Sequence, residues 1–405
     1  MDFNLLLIIA VTTVLTGLCA GIASAKVPEE VDYGLVHADN EFGFAIFSQL
    51  ADTKPQENVL ISPLSIAMAL QMCYAGASEE TQVQMAEVMR ISGMPVEAVN
   101  RGNSRLMDFL SRNEDVTLET ANSLWARGGI PFVEEYIRAI EEFYRAETAE
   151  LDFTDPKTVT RINEWVSEKT HGKIDRIIDQ LDPMAIMVLI NAVYFKAAWQ
   201  NPFNDYVTEE DDFTLANGTK KIVMMMYQHD DFGYFETETF QAVRLPYEGW
   251  GFEMLIFLPS VYSNLDSFLG NIGPENWNSW QSEFREQEGK LSMPRFKVEY
   301  GATLNDALIA IGMKDAFIAA NADFSGITPF KPAWISRVIH KTYIDVDEKG
   351  TEAAAVTAIE MAGATAMEMD PPEPFVMIID RPFFCAIRER NSGALLFMGS
   401  VYEPE

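Results

Sequence analysis

Four histidines (His37, His171, His229 and His340) and a large excess of carboxylates are the residues with which this chain could do acid–base chemistry. Neither set is arranged for it. No GxSxG, HExxH, Walker loop or GxGxxG occurs, so no nucleophile is offered beside a base and no glycine-rich turn is shaped for a phosphate. No CxxC pair marks a zinc or redox site. Catalytic residues, a metal and a cofactor are therefore not expected. The carboxylates belong to a wider imbalance: 30 Lys and Arg stand against 61 Asp and Glu, a formal net charge of -31. A field of that sign repels phosphate backbones, anionic membranes and sulfated polymers, so neither nucleic acid nor a heparin-like polyanion is an expected partner. Cys73 and Cys385 are compatible with one disulfide or with two buried thiols. The third cysteine, Cys19, follows Leu18, where a lipoprotein signal would need a small residue. Asn217-Gly218-Thr219 is the single glycosylation sequon.

The stretch from Asp347 to Pro374 is chemically odd in another way. It is long, rich in small residues and ends on Pro371-Pro372-Glu373-Pro374. A connection of that length without its own structure is uncommon in a compact domain and is usually functional. Taken at period two, Thr351, Ala353, Ala355, Thr357, Ile359 and Met361 fall on one side. Glu352, Ala354, Val356, Ala358, Glu360 and Ala362 fall on the other, which carries both glutamates. One small or apolar face opposite a charged one suits a strand that lays one side on a core. An Ala-rich exposed helix also fits the composition, with Thr351, Val356, Thr357 and Ile359 tilting the balance toward strand.

Elements able to position such a segment are legible elsewhere. Asn40–Leu50 is predicted as a helix with Phe42, Ala45, Ile46 and Leu50 on one face. Ser62-Pro63 is read as a capping hydroxyl before a proline at the first helical position, with Gly76 near the far end. Asp155-Pro156 repeats that start and leads to a stop at Gly172. Residues 185–199 are almost unbroken apolar sequence, predicting a strand buried on both faces. Further strands are expected at 223–227, 242–247, 252–259 and 335–346, with a terminal pair at 375–379 and 383–387. Short helices are expected at 265–269 and 303–311. Clustered rather than alternating elements predict an α+β fold with mixed or mostly antiparallel sheets. With 48% hydrophobic residues in 405 and no linker-like shift, one domain with one large core is expected from residue 39 to 405, after a short segment 26–38. Residues 1–25 read as a signal peptide: no charge from Phe3 to Ala25 and Ala23-Ser24-Ala25 before Lys26. The alternative is a retained anchor, since no basic residue precedes the apolar run. The expected location is outside the cell or in its envelope.

From about Asp39 onward the chain resembles the serpin family. The resemblance rests on Asp380-Arg381-Pro382-Phe383-Phe384 with 391–399, and on Asp347-Glu348-Lys349-Gly350-Thr351-Glu352-Ala353-Ala354-Ala355. It is supported by 58–65, by Asn191 to Lys196 with Trp199, by 293–297, by 312–317 and by 322–326, all in family order. The resemblance implies three β-sheets, about eight or nine helices and an exposed reactive-centre loop, here 348–371. It implies a monomer, not an enzyme, that traps a serine protease as a covalent acyl complex when its cleaved loop inserts into the central sheet. Glu348, Gly350, Thr351, Glu352, Ala353, Ala354 and Ala355 match the loop hinge. The family's spacing places the scissile bond at Ala364-Thr365, a small-residue site that points to elastase-like or subtilisin-like targets. A shifted register at Met361 or Met367 would favour chymotrypsin-like proteases, and the absence of basic residues from Gly350 to Pro374 disfavours trypsin-like ones. Ser62, Ser65, Asn191 and His340 match a polar cluster beneath the opening sheet. Trp199 matches the tryptophan where the loop enters. For His340 and Trp199, ordinary core roles are the competing interpretation. A non-inhibitory carrier, chaperone or storage protein is the alternative function, against which the small hinge residues argue. The signal segment and lone sequon are compatible with a prokaryotic source.

Overall fold

The computed structural model of the protein describes residues 30–249, 251–352 and 373–405. The N-terminal segment 1–25, the small-residue hinge positions Ala353, Ala354 and Ala355, the Ala364-Thr365 bond, Met361 and Met367 lie outside the described residues. Nine α-helices occur among the described residues: α1 (Tyr33–Thr53), α2 (Pro63–Tyr74), α3 (Glu79–Val88), α4 (Val96–Leu110), α5 (Glu134–Tyr144), α6 (Pro156–Lys169), α7 (Leu265–Leu269), α8 (Pro274–Gln281) and α9 (Asn305–Ala310). The strands are β1 (Val59–Ile61), β2 (Val116–Arg127), β3 (Glu147–Leu151), β4 (Met187–Ala198), β5 (Glu209–Thr214), β6 (Lys220–Glu236), β7 (Phe240–Pro246), β8 (Phe252–Pro259), β9 (Arg285–Pro294), β10 (Phe296–Thr303), β11 (Ile335–Asp347), β12 (Gly350–Thr351), β13 (Phe375–Ile378), β14 (Phe383–Glu389) and β15 (Leu395–Val401).

One sheet has the order β10-β11-β12-β4-β2-β3. The other runs β1-β15-β14-β8-β7-β6-β9-β13, with β5 also on β6. This second array holds two sheets of the three that the resemblance implied, joined through β6. That 17-residue strand pairs with β5 over 220–225, with β9 over 225–234 and with β7 over 233–236. The α+β class holds, with both parallel and antiparallel pairs.

Strand β4, inside the six-stranded sheet, is buried on both faces, which is why it reads as continuous apolar sequence. One face packs on the main core, to which Leu189, Val193, Phe195, Ile344 and Val346 contribute. The other meets α6 through Trp125, Val188, Ile190 and Ile339, against Ile162 and Val166 of the helix. Helix α6 starts as its sequence predicts, the Asp155 carboxylate accepting from the Lys157 amide at 2.9 Å ahead of Pro156.

Three local expectations need correction. Helix α1 begins seven residues earlier than its apolar stripe, because Asp32 caps it by accepting from the amides of Gly34 and Leu35. Ser62 does occupy the N-cap of α2, but its hydroxyl makes no capping bond. The strands at 375 and 383 are not partners: β13 pairs in parallel with β9, whereas β14 lies between β8 and β15. Cys73 and Cys385 are both buried and unbridged, and burial pushes each thiol up to about 12.

Candidate functional site

Strand β11 ends in a tight reversal that returns the chain as β12. Asp347 Oδ1 accepts from the amides of Lys349 (2.8 Å) and Gly350 (3.2 Å), closing the turn. Gly350 stands at φ +149°, and a β-carbon there would meet the Ala197 carbonyl oxygen at 2.2 Å. Only glycine fits that approach. Its neighbour Thr351 is fully buried, and its hydroxyl pairs with the Tyr247 hydroxyl at 2.7 Å. Thr351 thus faces the core, as the period-two pattern requires. Glu352, on the opposite parity, has a nearly buried side chain with Lys173 Nζ 3.3 Å away. Burial pushes its carboxyl up, and Lys173 offsets part of that rise. Its φ is +53°, so the chain leaves extended geometry at this non-glycine residue.

The turn is held from outside by Glu348, which is 3% exposed. Its carboxylate receives Arg295 Nε at 2.8 Å to each oxygen, Arg295 Nη2 at 2.6 Å and the Thr208 hydroxyl at 2.6 Å. Burial pushes this carboxyl up, but the bonds from Arg295 and Thr208 and the guanidinium charge outweigh it and leave it below the ordinary range. Trp199 completes the frame. Its amide donates to the Lys349 carbonyl (2.8 Å), its indole N–H to the Asp347 carbonyl (2.9 Å), and its ring stacks on Tyr247 with centroids 4.5 Å apart.

Strand β12 sits between two strands that otherwise touch each other. Gly350 and Thr351 pair antiparallel with Ala198 and Ala197 of β4 and with Asp347 and Val346 of β11. Farther along, β4 and β11 pair directly and in parallel over seven residue pairs, from Met187 opposite Ile335 to Val193 opposite Thr342. The sheet is parted at one end and closed at the other.

Ser62, Ser65, Asn191 and His340 meet beneath the closed part. Asn191 and His340 are register partners on β4 and β11. His340 Nε2 accepts from the Ser62 amide at 3.2 Å, which leaves its Nδ1–H to donate to Asn191 Oδ1 at 2.5 Å. The Asn191 amide donates to the Ser65 hydroxyl and to Asn122 Oδ1, the latter at 2.6 Å. His340 is fully buried, and desolvation pushes its pKa down to about 3. It shares the inward face of β11 with Val338, Thr342, Ile344 and Val346, as its parity predicts.

Arg295, Thr208, Tyr247 and Asn122 were not singled out by sequence reasoning. Each reaches its partner over a large sequence separation, and no local pattern signals such a contact. Among the described residues no group of three or more His, Cys, Asp or Glu is placed to hold a metal ion.

The family model described as "Serpin (serine protease inhibitor)" matches residues 37–404. An uncharacterised serpin-like protein of Thermococcus kodakarensis is 38% identical over 375 residues, covering 92% of this chain and 86% of the relative. The leukocyte elastase inhibitor of Homo sapiens is 33% identical over 382 residues, covering 91% of this chain and 99% of the relative. Among solved structures, the native state of the thermophilic serpin tengpin matches with a TM-score of 0.84 at 31% identity, covering 92% of this chain and 95% of that one.

Proposed function

The chain belongs to the serpin family, and from that premise we propose that it inhibits serine proteases as a suicide substrate. The observation that carries this reading is β12: two residues already seated as a strand between β4 and β11, with small residues following in the sequence. The register continued from Thr351 would bring Ala353 opposite Phe195 and Met361 opposite Met187, spanning the seven pairs now joined directly. Every second residue from Thr351 would then face the core, and Glu352 and Glu360 the side of α6.

The energetics favour such a transition. Ordering an inserted segment costs roughly 1–2 kcal/mol per residue in conformational entropy. Offsetting it are new ladder bonds on both sides, burial of alternate side chains, and release of the left-handed kink at Glu352. In the proposed reaction the protease serine oxygen attacks the Ala364 carbonyl and the peptide bond breaks. The released amine becomes the N-terminus of the Thr365 fragment, and Ala364 remains esterified to the enzyme. Insertion then carries the acyl-enzyme away before water can deacylate it. Ser62, Ser65, Asn191 and His340 are the latch that must open, and Trp199 with Arg295 and Glu348 fixes where opening starts. The small residues around 364 and the relationship to leukocyte elastase inhibitor support elastase-like or subtilisin-like targets. The uncharged segment at 3–25 supports action outside the cytoplasm or at the cell envelope.

Incubation with elastase, subtilisin, chymotrypsin and trypsin tests the proposal. An SDS-resistant adduct with elastase or subtilisin is expected, releasing a fragment that begins at Thr365. Thr351→Arg would put a charge into a fully buried position, and should cut adduct yield at least about tenfold while the loop is still cleaved. Clean cleavage by every protease without an adduct would favour the carrier, chaperone or storage alternative. A cut after Met361 or Met367 with a chymotrypsin adduct would move the specificity instead.

A further inference from the structure

Four helices are joined by a chain of buried polar side chains. Asp39 of α1 is 1% exposed, and Gln71 of α2 and Asn103 of α4 are fully buried. Gln71 lies between the other two. Its Nε2 donates to Asp39 Oδ1 at 2.6 Å, and its Oε1 accepts from Asn103 Nδ2 at 2.6 Å. Asn103 Nδ2 also donates to the Val99 carbonyl at 3.1 Å, which fixes which way round that amide sits. The same nitrogen is 3.5 Å from the Tyr144 hydroxyl of α5, which donates to Asn100 Oδ1 at 2.7 Å. Two oxygens are left without a partner among the described residues: Asp39 Oδ2 and Asn103 Oδ1. With the carboxyl ionised both are acceptors, and a buried acceptor without a donor is costly.

No cation offsets this. Among the described residues, the charge that acts on Asp39 is the Asp32 carboxylate at the start of its own helix. On α1, His37 and Glu41 pair with each other on the surface. The titratable groups of α2 and α5 around the cluster are Cys73, Tyr74 and Tyr144, whose neutral forms burial favours. Helix α4 presents amides inward, with Glu97 paired to Arg101, Asp108 to Arg145, and Arg105 exposed.

We propose that Asp39 is a neutral carboxylic acid in the native protein, that its Oδ2–H donates to Asn103 Oδ1 and closes a ring with Gln71, and that this proton makes the junction of α1, α2 and α4 a pH-sensitive lock. One proton then gives both orphaned oxygens a partner. Burial pushes the Asp39 carboxyl up to about 8; the Gln71 bond offsets part of that rise and Asp32 adds to it. From the ordinary 3.8 up to about 8, the native chain holds a proton that the unfolded chain has released. Stability from this group is complete below 3.8 and is lost as pH rises toward 8, the unfolding constant growing up to about tenfold per unit. Above about 8 the native carboxyl ionises as well, and both oxygens are again without a donor. The lock is independent of the inhibitory reading.

Asp39→Asn in the full chain is the direct test. An amide at this position can accept from Gln71 and donate to Asn103 at every pH, so the ring persists without a titrating proton. Infrared difference spectra of parent against variant should show the C=O stretch of one neutral carboxylic acid, bleaching with a midpoint near 8. In denaturant the variant should have an unfolding constant at least about tenfold smaller than the parent's at pH 8, the two converging toward 3.8. Hydrogen exchange of the α4 amides, corrected for the intrinsic rate at each pH, should quicken at least about tenfold across the transition in the parent and stay level in the variant. Asn103→Leu keeps the site dry and removes the acceptor, and should lower the infrared midpoint by about one unit or more. A parent without the neutral-acid band, or a variant no more stable than the parent at pH 8, overturns the neutral carboxyl. An unmoved midpoint in Asn103→Leu overturns the pairing with Asn103, and level α4 exchange in the parent overturns the lock.

Discussion

Gly350 carries a steep steric demand in the β11–β12 turn. Its positive φ and the 2.2 Å approach to the Ala197 carbonyl leave no room for a side chain. Gly350→Ala should cost about 2 kcal/mol or more and displace β12 from the sheet. Calorimetry on the intact protein checks this, and an unchanged melting temperature would show that the hinge is not seated as described. His340 makes a pH prediction. Its folded pKa is about 3 against an ordinary 6.5, so between those values the unfolded chain holds a proton that the native protein lacks. Stability from this group is complete above pH 6.5 and falls as pH drops toward 3, by up to ~1.4 kcal/mol per unit. In His340→Gln the part of the slope between pH 6 and 4 that this residue contributes should vanish, measured by denaturant unfolding across that range.

At the scale of elements, the β11–β12 turn is held by a contact that crosses 53 positions of sequence. Arg295→Ala strips three charged hydrogen bonds from a carboxylate that is 3% exposed. Because Arg295 itself is 43% exposed, the expected loss is moderate, about 1–2 kcal/mol, with faster proteolysis near Glu348 as the local readout. Arg295→Lys should restore only part of it, since one ammonium cannot reproduce the planar fork. Legibility in the sequence divides along the same line. Strand β4, the inward parity of β11 and the start of α6 are readable because burial on both faces, period-two alternation and Asp-Pro capping are local signals. Strand β2 is not, although it pairs with β4 along eleven positions. Its run Thr117-Leu118-Glu119-Thr120-Ala121-Asn122 mixes polar and apolar residues without alternation, because each face meets a different partner. Helices α4 and α5 went unread although their buried residues recur at helical spacing. The pairing of β13 with β9 could not be read from neighbouring strands in the chain. At the β11–β12 turn, the inward side of Thr351 follows from sequence pattern, whereas the contacts of Arg295 and Tyr247 there, and of Asn122 with Asn191 beneath the closed part of the sheet, are tertiary.

At the scale of the whole molecule, the fold holds one sheet in two conditions at once: parted by β12 at one end, closed by seven parallel pairs at the other. The net charge of -31 does not decide that architecture. The central claim is that the chain after Gly350 is more stable inside this sheet than outside it. The direct measurement is the melting temperature before and after a single cut at Ala364-Thr365, with both fragments still associated. Insertion of a further strand should raise it, by roughly 1–1.5 °C for each kcal/mol gained in a domain of this size. A melting temperature that stays level or falls, with the cutting protease left fully active, would contradict the account.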